Sequence, residues 1–350
     1  MTASNKERKN IEEHIPHDLL KELYLNSRIP IKQLERILGI SHHTLSKHLK
    51  KAEAEYELKY TLDIDPSLLG LSEARILAIK FEKVPDLNLL KRVLEKDAFV
   101  QNAYLASGDF DLILHVIGLN HTEYNYWSYK FRLSFCRYSP VVKVVTLDNM
   151  LEGFLPVKAN LVNLSKEVNE VEKKLLIKLI DNSRIKIKDL SRVTKTSQMK
   201  TIYTIEKLKE KGIIKRFTTC VQNPSKRIFL FYTVTLMPNE SHHPRLLLNF
   251  LNRIIDEEQP KQVTTDYSIE CEVSGHSDLL FFCNFKDGTD LNNRGPNFLK
   301  KVWEIESPIV NQCILTEVIT GSWPFNTNCY VKWKIELEKE RDLQTKIKIY

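Results

Sequence analysis

The stretch NSRIPIKQLERILGIS (residues 26–41) decides the fold of this chain, because a second version of it, NSRIKIKDLSRVTKTS, occupies residues 182–197. The second copy begins 156 residues after the first, and both follow an apolar segment with helical spacing. Two more segments recur in the same order, SGDFDLIL with SGHSDLLF and SPVVKVVTLDNMLEG with SPIVNQCILTEVITG. The 350-residue chain therefore contains one two-part unit twice, with about ten extra residues inserted in the second copy.

The first part of each unit predicts a helix-turn-helix. In the first copy, Leu34 and Leu38 mark the buried stripe of a short helix, Gly39 ends that helix, and Ser41 is a favourable N-cap for the next one. Ser197 takes the same place in the second copy. A strand follows each last helix, KYTLDI in the first copy and GIIKRFTTCV in the second, and we interpret both strands as wings of winged helices.

The second part of each unit alternates strands and helices in the order βαββαβ, which is the ferredoxin-like plan. Its two middle strands meet at SGD (107–109), a hairpin signal. In the second unit, the polar stretch 286–297 predicts a loop that replaces part of the last helix. The fold class is therefore α+β, with two winged helix-turn-helix domains alternating with two ferredoxin-like βαββαβ domains. The expected boundaries are a disordered arm (1–15), winged helix-turn-helix one (16–66), ferredoxin-like domain one (72–155), a linker (156–167), winged helix-turn-helix two (168–222), ferredoxin-like domain two (226–321) and a C-terminal extension (322–350).

Composition excludes several classes of protein. The longest strongly apolar run, IFLFYTVTLM, is about half of the roughly 20 residues that a membrane helix needs. No apolar segment follows the basic N-terminal residues, so we expect no secretory signal and no membrane partner. The six cysteines show no CxxC spacing, which favours reduced thiols in the cytoplasm. The net charge of +7 is compatible with a nucleic-acid partner.

The ordered set of motifs resembles the Lrp/AsnC ("feast/famine") family of transcription regulators over nearly all of residues 16–321, twice. The usual family member has one unit and dimerises through its sheet domain, so the resemblance implies a covalent pseudo-dimer. It also implies a double-stranded DNA partner, a small effector such as an amino acid, and a homo-oligomer formed through the ferredoxin-like domains. The first unit departs from the family pattern, because it lacks the glycine before the wing that Gly212 supplies in the second.

DNA binding requires cations for the phosphates and polar side chains that reach base edges. The helix-turn-helix context favours DNA contact over the alternative, a solvated lysine-rich face. The candidate DNA-binding residues lie on the second helix of each pair, the turns and the second wing: Ser41, His42, His43, Ser46, Lys47, Lys50, Arg192, Lys195, Ser197, Gln198, Lys200, Tyr203, Lys207, Lys215 and Arg216. We interpret Arg28 and Arg184 as structural residues that close the first turn onto the second helix.

The SGD hairpins are the candidate effector sites, with Gly108, Asp109, Asp111, Gly275 and Asp278 as candidate residues. Glycine would let backbone N–H groups approach a carboxylate, and an aspartate could accept an ammonium group. The alternative is that Gly-Asp is only a good turn. The spacing of the three histidines at 42, 43 and 48 does not place them on one helical face, so we expect no metal. We expect no cofactor.

The main functional prediction is a sequence-specific DNA-binding transcription regulator. Because no nucleophilic triad, P-loop or paired-carboxylate motif occurs, we expect the chain not to be an enzyme. The alternative is a tetrapyrrole (sirohaem) decarboxylase, a class of enzyme that resembles the same architecture. GIIKRF (212–217) resembles a stretch of those enzymes, but the residues after it lack the expected His and Gly. A third alternative makes the first winged helix a protein-interaction module.

Overall fold

The computed structural model describes residues 18–152, 155–222, 228–235, 267–275, 277, 279–285, 287–303 and 309–323. The predicted N-terminal arm and most of the C-terminal extension lie outside these residues, as does the first helix of the second βαββαβ domain, which the sequence pattern predicts over 243–256. Among the described helices, none combines the length and the apolar character that a membrane crossing requires.

Two three-helix heads begin the two units, as predicted. The first head contains α1 (18–25), α2 (Ile31–Leu38) and α3 (His42–Tyr56), followed by strand β1 (Leu58–Ile64). The second head contains α6 (Glu170–Asp181), α7 (Ile187–Thr194) and α8 (Gln198–Glu210), followed by β6 (Ile214–Val221). The residues that the sequence marks as helix stops and caps act as such, because Gly39 has a φ of 64° and Ser41 accepts a hydrogen bond from the Thr44 N–H.

The two predicted wing strands do not stand apart on separate heads. Strands β1 and β6 pair with each other in an antiparallel two-stranded sheet, with Thr61 opposite Thr218. Each of these threonines donates its hydroxyl proton to the last turn of its partner's first helix, at Ile180 O (2.8 Å) and Tyr24 O (2.6 Å). The matched contacts show that an approximate twofold axis relates the heads and passes near this pair.

The repeated NSR segments meet at the same axis, where Ser27 Oγ and Ser183 Oγ share a buried hydrogen bond of 2.6 Å. Arg28 Nε donates to Ser183 O (2.5 Å), and Arg184 Nε donates to Ser27 O (2.8 Å). These arginines are structural, but our expectation that they close the turn of their own head is wrong. Each one binds the opposite head, which the sequence of a single copy does not reveal.

The ferredoxin-like parts join into one closed barrel. The first unit supplies β2 (Glu73–Lys80), β3 (Val100–Gly108), β4 (Leu112–Gly118) and β5 (Val141–Glu152). The second supplies β7 (Ile228–Thr235), β8 (Tyr267–Gly275), β9 (Leu279–Phe285) and β10 (Ile309–Thr320). The order around the barrel is β10-β3-β4-β2-β5-β8-β9-β7, so each unit keeps the ferredoxin-like order and the sheets meet at β5–β8 and β3–β10.

Helices cover the outside of the barrel. In the first unit α4 (Leu87–Leu94) and α5 (His121–Ser134) pack on the outward side chains of β2, β3 and β4. In the second unit α9 (Gly288–Trp303) is a 16-residue helix that includes Pro296. The prediction of a polar loop over 286–297 is therefore wrong for residues 288–297. Asp287, whose carboxylate accepts from the Asp290 N–H (3.0 Å), begins this helix despite its glycines and asparagines.

Among the described residues, apolar side chains fill the lumen of the barrel, the space under α4 and α5, and both heads. The lumen of the barrel holds a chain of aromatic rings in contact, Phe110, Phe231, Phe282, Tyr104, Trp323 and Phe229, with centroids 4.8–6.5 Å apart. A second cluster lies under α4 and α5, and a third fills the second head. Leu161 and Val162, within the predicted linker, are buried in that head. Ile117 of β4 belongs to this third cluster, so burial of its apolar surface fixes the second head to the barrel.

Candidate nucleic-acid interface

Helix α3 of the first head is held so that one face points outward. Leu45 and Ala52 are buried, and Leu45 packs with Leu19, Leu23 and Leu34 of the two preceding helices. Of the predicted contact residues on this helix and its cap, Ser41, His42, His43, Lys47 and Lys50 are exposed and Ser46 is half-buried. His42 Nδ1 lies 2.6 Å from Glu35 Oε1. The remaining side chains leave a polar and cationic face.

Helix α8 of the second head is placed in the same way. The turn before it contains Lys195 at a φ of 53°, where the first head has Gly39. Ser197 caps the helix by accepting from the Lys200 N–H (3.2 Å). Thr201 and Thr196 share a hydroxyl hydrogen bond of 2.9 Å that ties the turn to the helix. The predicted contact residues Arg192, Lys195, Ser197, Gln198, Lys200 and Tyr203 are exposed.

Four predicted cationic contacts already have carboxylate partners, among them the exposed Arg192, whose Nη1 lies 3.2 Å from Asp189 Oδ1. Lys207 Nζ lies 3.0 Å from Oε1 of the buried Glu172, and Lys215 Nζ lies 3.1 Å from Asp65 Oδ2. Arg216 bridges the two heads, because its Nε donates to Asp63 Oδ2 (2.9 Å) and its NH2 group to Tyr24 Oη (2.8 Å). Burial raises the pKa of Asp63, and the charges of Arg216 and Lys215 oppose that shift. In this structure Lys215 and Arg216 stabilise the joint between the heads, whereas Lys207 ties α8 to α6 within the second head.

The hairpin predicted as an effector site closes the barrel. Asp109 Oδ2 accepts from the Gln312 N–H (2.7 Å), and the Asp109 N–H donates to Gln312 O (3.0 Å). Asp111 accepts from Lys80 Nζ (2.7 Å) and from the Phe81 N–H (2.8 Å). Gly108 has a φ of 135°, and a Cβ there would lie 2.7 Å from Gln312 O. The first hairpin thus docks onto the second unit through Gly108 and the Asp109 carboxylate, whereas Asp111 ties the hairpin to β2 of its own unit.

A cavity of about 400 Å³ lies beside this hairpin. It is lined by Ser107 and Gly108, by Tyr232 and Gln312 of the second unit, and by α9 at Asn292, among others. In the second hairpin, Gly275 pairs with Val145 across the β5–β8 seam, and Asp278 lies outside the described residues. The structure therefore places a small-molecule-sized space at the first seam, next to the predicted residues.

Sequence reasoning missed a buried polar cluster at the head end of the barrel. The side-chain amide of Asn102 donates to His115 Nδ1 (3.0 Å) and to Pro156 O (2.8 Å), and its oxygen accepts from the Ser322 N–H (3.2 Å). Tyr104 Oη donates to Ser322 O (2.8 Å). Burial lowers the pKa of His115 to about 3, so its imidazole is neutral at pH 7. The signal in the sequence was a departure between repeats, because Phe282 stands where the first unit has this histidine.

Comparison with known proteins identifies the family, although no family model matches. The HTH-type transcriptional regulator LrpA of Pyrococcus abyssi is 31% identical over 100 residues, which are 28% of this chain and 70% of that protein. The chain belongs to the Lrp/AsnC family. The HTH-type transcriptional regulator FL11 of Pyrococcus horikoshii is 25% identical over 114 residues, covering 32% of this Lrp/AsnC protein and 75% of FL11.

One comparison corrects an expectation. The crystal structure of the siroheme decarboxylase NirDL in complex with an iron-uroporphyrin III analogue matches 94% of this chain and 99% of that chain, with a TM-score of 0.55 and 14% identity. The prediction that the chain is not an enzyme is contradicted by this finding, because an enzyme has the same arrangement from end to end. At 14% identity, the likeness shows the fold of this Lrp/AsnC chain and nothing about its chemistry.

Proposed function

We propose that this protein is a sequence-specific DNA-binding transcription regulator of the cytoplasm, built as a fused pseudo-dimer. One observation carries the proposal: two capped helices, α3 and α8, are related by an approximate twofold axis, and each turns an exposed face, with exposed lysines on or beside it, away from its core. Helix-turn-helix dimers read DNA with such pairs of helices. The joint made by Arg28, Arg184 and the β1–β6 pair would hold the two readers in a fixed relation.

The test is duplex DNA binding by the full chain over a salt series. The Lys47→Ala/Lys50→Ala and Lys195→Ala/Lys200→Ala variants remove exposed cations from one head each. Each double variant should lower the slope of log K against log salt by about 2, since each phosphate contact contributes about 1. The control is Lys83→Ala/Lys96→Ala, which removes two exposed lysines outside both heads and should leave the slope unchanged. A slope reduced by the control as much as by the head variants would refute the assignment.

We further propose that a small effector, such as an amino acid, occupies the cavity at the β3–β10 seam. The volume of about 400 Å³ lies within the range of ligand pockets, and Ser107, Asn292 and Gln312 supply polar groups. Because Asp109 and Asp111 already accept hydrogen bonds, the backbone and these neutral groups would recognise the ligand. Thermal-shift screening with amino acids, repeated on Asn292→Leu, tests the site.

We also propose a homo-oligomer formed through the ferredoxin-like domains. Helix α5 exposes Tyr126, Tyr129 and Leu133 (62%, 64% and 59% exposed), which share one helical face. Sedimentation of the wild type and of Tyr129→Glu measures the assembly. The assembly formed by Tyr129→Glu should have a lower mass than that of the wild type. Equal masses would show that this face of α5 is not the contact between chains.

A second candidate function is tetrapyrrole decarboxylation, which the end-to-end likeness of architecture favours. This reaction breaks the bond to a carboxylate, CO2 leaves, and a proton takes its place. Incubation of the purified protein with sirohaem, followed by mass spectrometry of the pigment, tests it. A mass loss of one CO2 per reacting carboxylate would support the enzyme, and unchanged pigment would refute it.

A further inference from the structure

The outward faces of α3 and α8 differ in chemistry although their positions correspond. Both helices begin after a capping serine, Ser41 or Ser197, so their residues can be matched one by one. Four positions in the first two turns of each helix face away from the core of the head. In the first head they are occupied by His42, His43, Ser46 and Lys47. The matching residues of the second head are, in the same order, Gln198, Met199, Ile202 and Tyr203.

The apolar members of the second set are turned to solvent. Met199 is 76% exposed, Tyr203 is 68% exposed and Ile202 is 41% exposed. Their spacing puts them on one helical face, whereas the head core takes Ile205 and Leu208 from the opposite face. They are therefore available to a partner of this helix.

The surroundings of this patch favour DNA over a protein as that partner. Exposed Lys195 and Lys200 flank it, and Arg192 lies on the preceding helix. The patch occupies the first two turns of the second helix of the pair, the part that contacts base edges in helix-turn-helix proteins. In the major groove, the apolar group on a base edge is the C5-methyl of thymine, and a glutamine pairs with adenine through two hydrogen bonds.

The first head suits a different base composition. His43 and Lys47 place a ring N–H and an ammonium group where α8 has the thioether of Met199 and the phenol of Tyr203, whose hydroxyl is the single donor of that pair. The major-groove edge of guanine presents two acceptors, N7 and O6, and no donor. Donors at these two positions are therefore matched to guanine.

We propose that the DNA site is not palindromic: α8 reads an A·T half-site through thymine methyl groups, and α3 reads a half-site that contains guanine. This inference rests on the proposed DNA-binding function and adds to it the class of sequence that each head recognises. An asymmetric DNA site is compatible with the approximate twofold axis between the heads. The residues that join the heads, Ser27, Arg28 and their counterparts Ser183 and Arg184, are the same in both, whereas the residues that face outward from α3 and α8 differ.

Selection from random duplexes with the full chain gives the site, and four synthetic duplexes then test it. They are the selected site, the two palindromes made from its half-sites, and the selected site with uracil in place of thymine in the A·T half. Uracil removes the methyl group and keeps every hydrogen bond. The selected site should bind at least about tenfold more tightly than either palindrome, and each uracil in contact should weaken binding about fourfold, the value for one buried methyl-sized group.

Variants connect the effect to residues. In Met199→Ala/Ile202→Ala, the thymine and uracil duplexes should bind equally. In Lys47→Ala, binding to the thymine duplex and to the uracil duplex should weaken by the same factor, so that the fourfold difference between the two duplexes remains. Circular dichroism verifies that both variants are folded. A palindromic consensus, or wild-type binding that is insensitive to uracil, would overturn the inference while leaving DNA binding intact. Failure to bind any duplex would instead refute the proposed function.

Discussion

Loss of Arg28 should weaken the joint between the heads more than loss of Arg184. Arg28 donates to two backbone carbonyls of the other head, Ser183 O and Ile185 O, and its guanidinium lies 4.9 Å from the centre of the Phe217 ring. Burial lowers the pKa of Arg28, which shows that its charge is partly desolvated. Arg184 also has a cation–π contact, 4.4 Å from the centre of the Tyr60 ring, and lies 3.8 Å from Glu53, but it donates to one carbonyl of the other head, Ser27 O.

The magnitudes follow from these contacts. Each hydrogen bond from a charged donor contributes about 1.5–3 kcal/mol, and the cation–π contact about 0.5–1 kcal/mol. The freed side chain regains up to about 2 kcal/mol of rotamer entropy. Arg28→Ala should therefore cost about 3 kcal/mol and Arg184→Ala about 1–2 kcal/mol.

Hydrogen exchange of the β1 and β6 amides, followed by mass spectrometry, measures the local opening free energy at the joint. Arg28→Lys should lose most of the same stability, since an ammonium group cannot reproduce the two-carbonyl fork. Arg36→Ala, an exposed arginine on α2, is the control and should change nothing. The reasoning fails if Arg184→Ala is the more costly variant, or if Arg28→Ala costs under about 0.5 kcal/mol.

Three further outcomes are expected. Ser27→Ala should lower the free energy of unfolding in urea by about 1–3 kcal/mol, because it leaves the buried Ser183 hydroxyl without its partner. The double variant Ser27→Ala/Ser183→Ala should lower it by less than that single change, and additive costs would contradict the prediction. Gly321→Ala should lower the free energy of unfolding by about 3 kcal/mol, since φ is 94° and the new Cβ would lie 2.1 Å from Asn102 Oδ1. Gly288→Ala is the matched control, because no atom lies within 4 Å of the Cβ that it adds. The folded pKa of His115 is depressed from 6.5 to about 3, so its contribution to stability is present above pH 6.5 and falls as the pH drops. Urea titrations should therefore show a loss of about 2 kcal/mol in the free energy of unfolding between pH 7 and 5, and His115→Gln should abolish this loss. An equal pH dependence in the wild type and the variant would refute the prediction.

Local signals in the sequence were sufficient to predict most of the helices and strands that the structure describes in each unit. Apolar spacing located the helices of both heads, and Gly39, Ser41 and Ser197 marked their ends because caps act within one turn. Helix α9 was missed because its glycines, asparagines and proline have low helix propensity, and tertiary packing overrides propensity.

Contacts between the units could not be read in the same way. A strand pattern shows which face is buried and says nothing about which edge it pairs with, so neither β1–β6 nor the barrel seams were predicted. The same limit explains why Asp109 and Arg216 were assigned to ligands. Both side chains carry chemistry suited to binding, and the structure uses that chemistry to join one unit to the other.

Both seams of the barrel, β5–β8 and β3–β10, lie within a single polypeptide. A regulator assembled from separate subunits dissociates on dilution and trades subunits with close paralogues. Here the covalent link keeps the halves at a high effective concentration at any dilution of the protein. The pairing of the halves is thus independent of expression level, and mixed species with paralogous chains are disfavoured from synthesis onward.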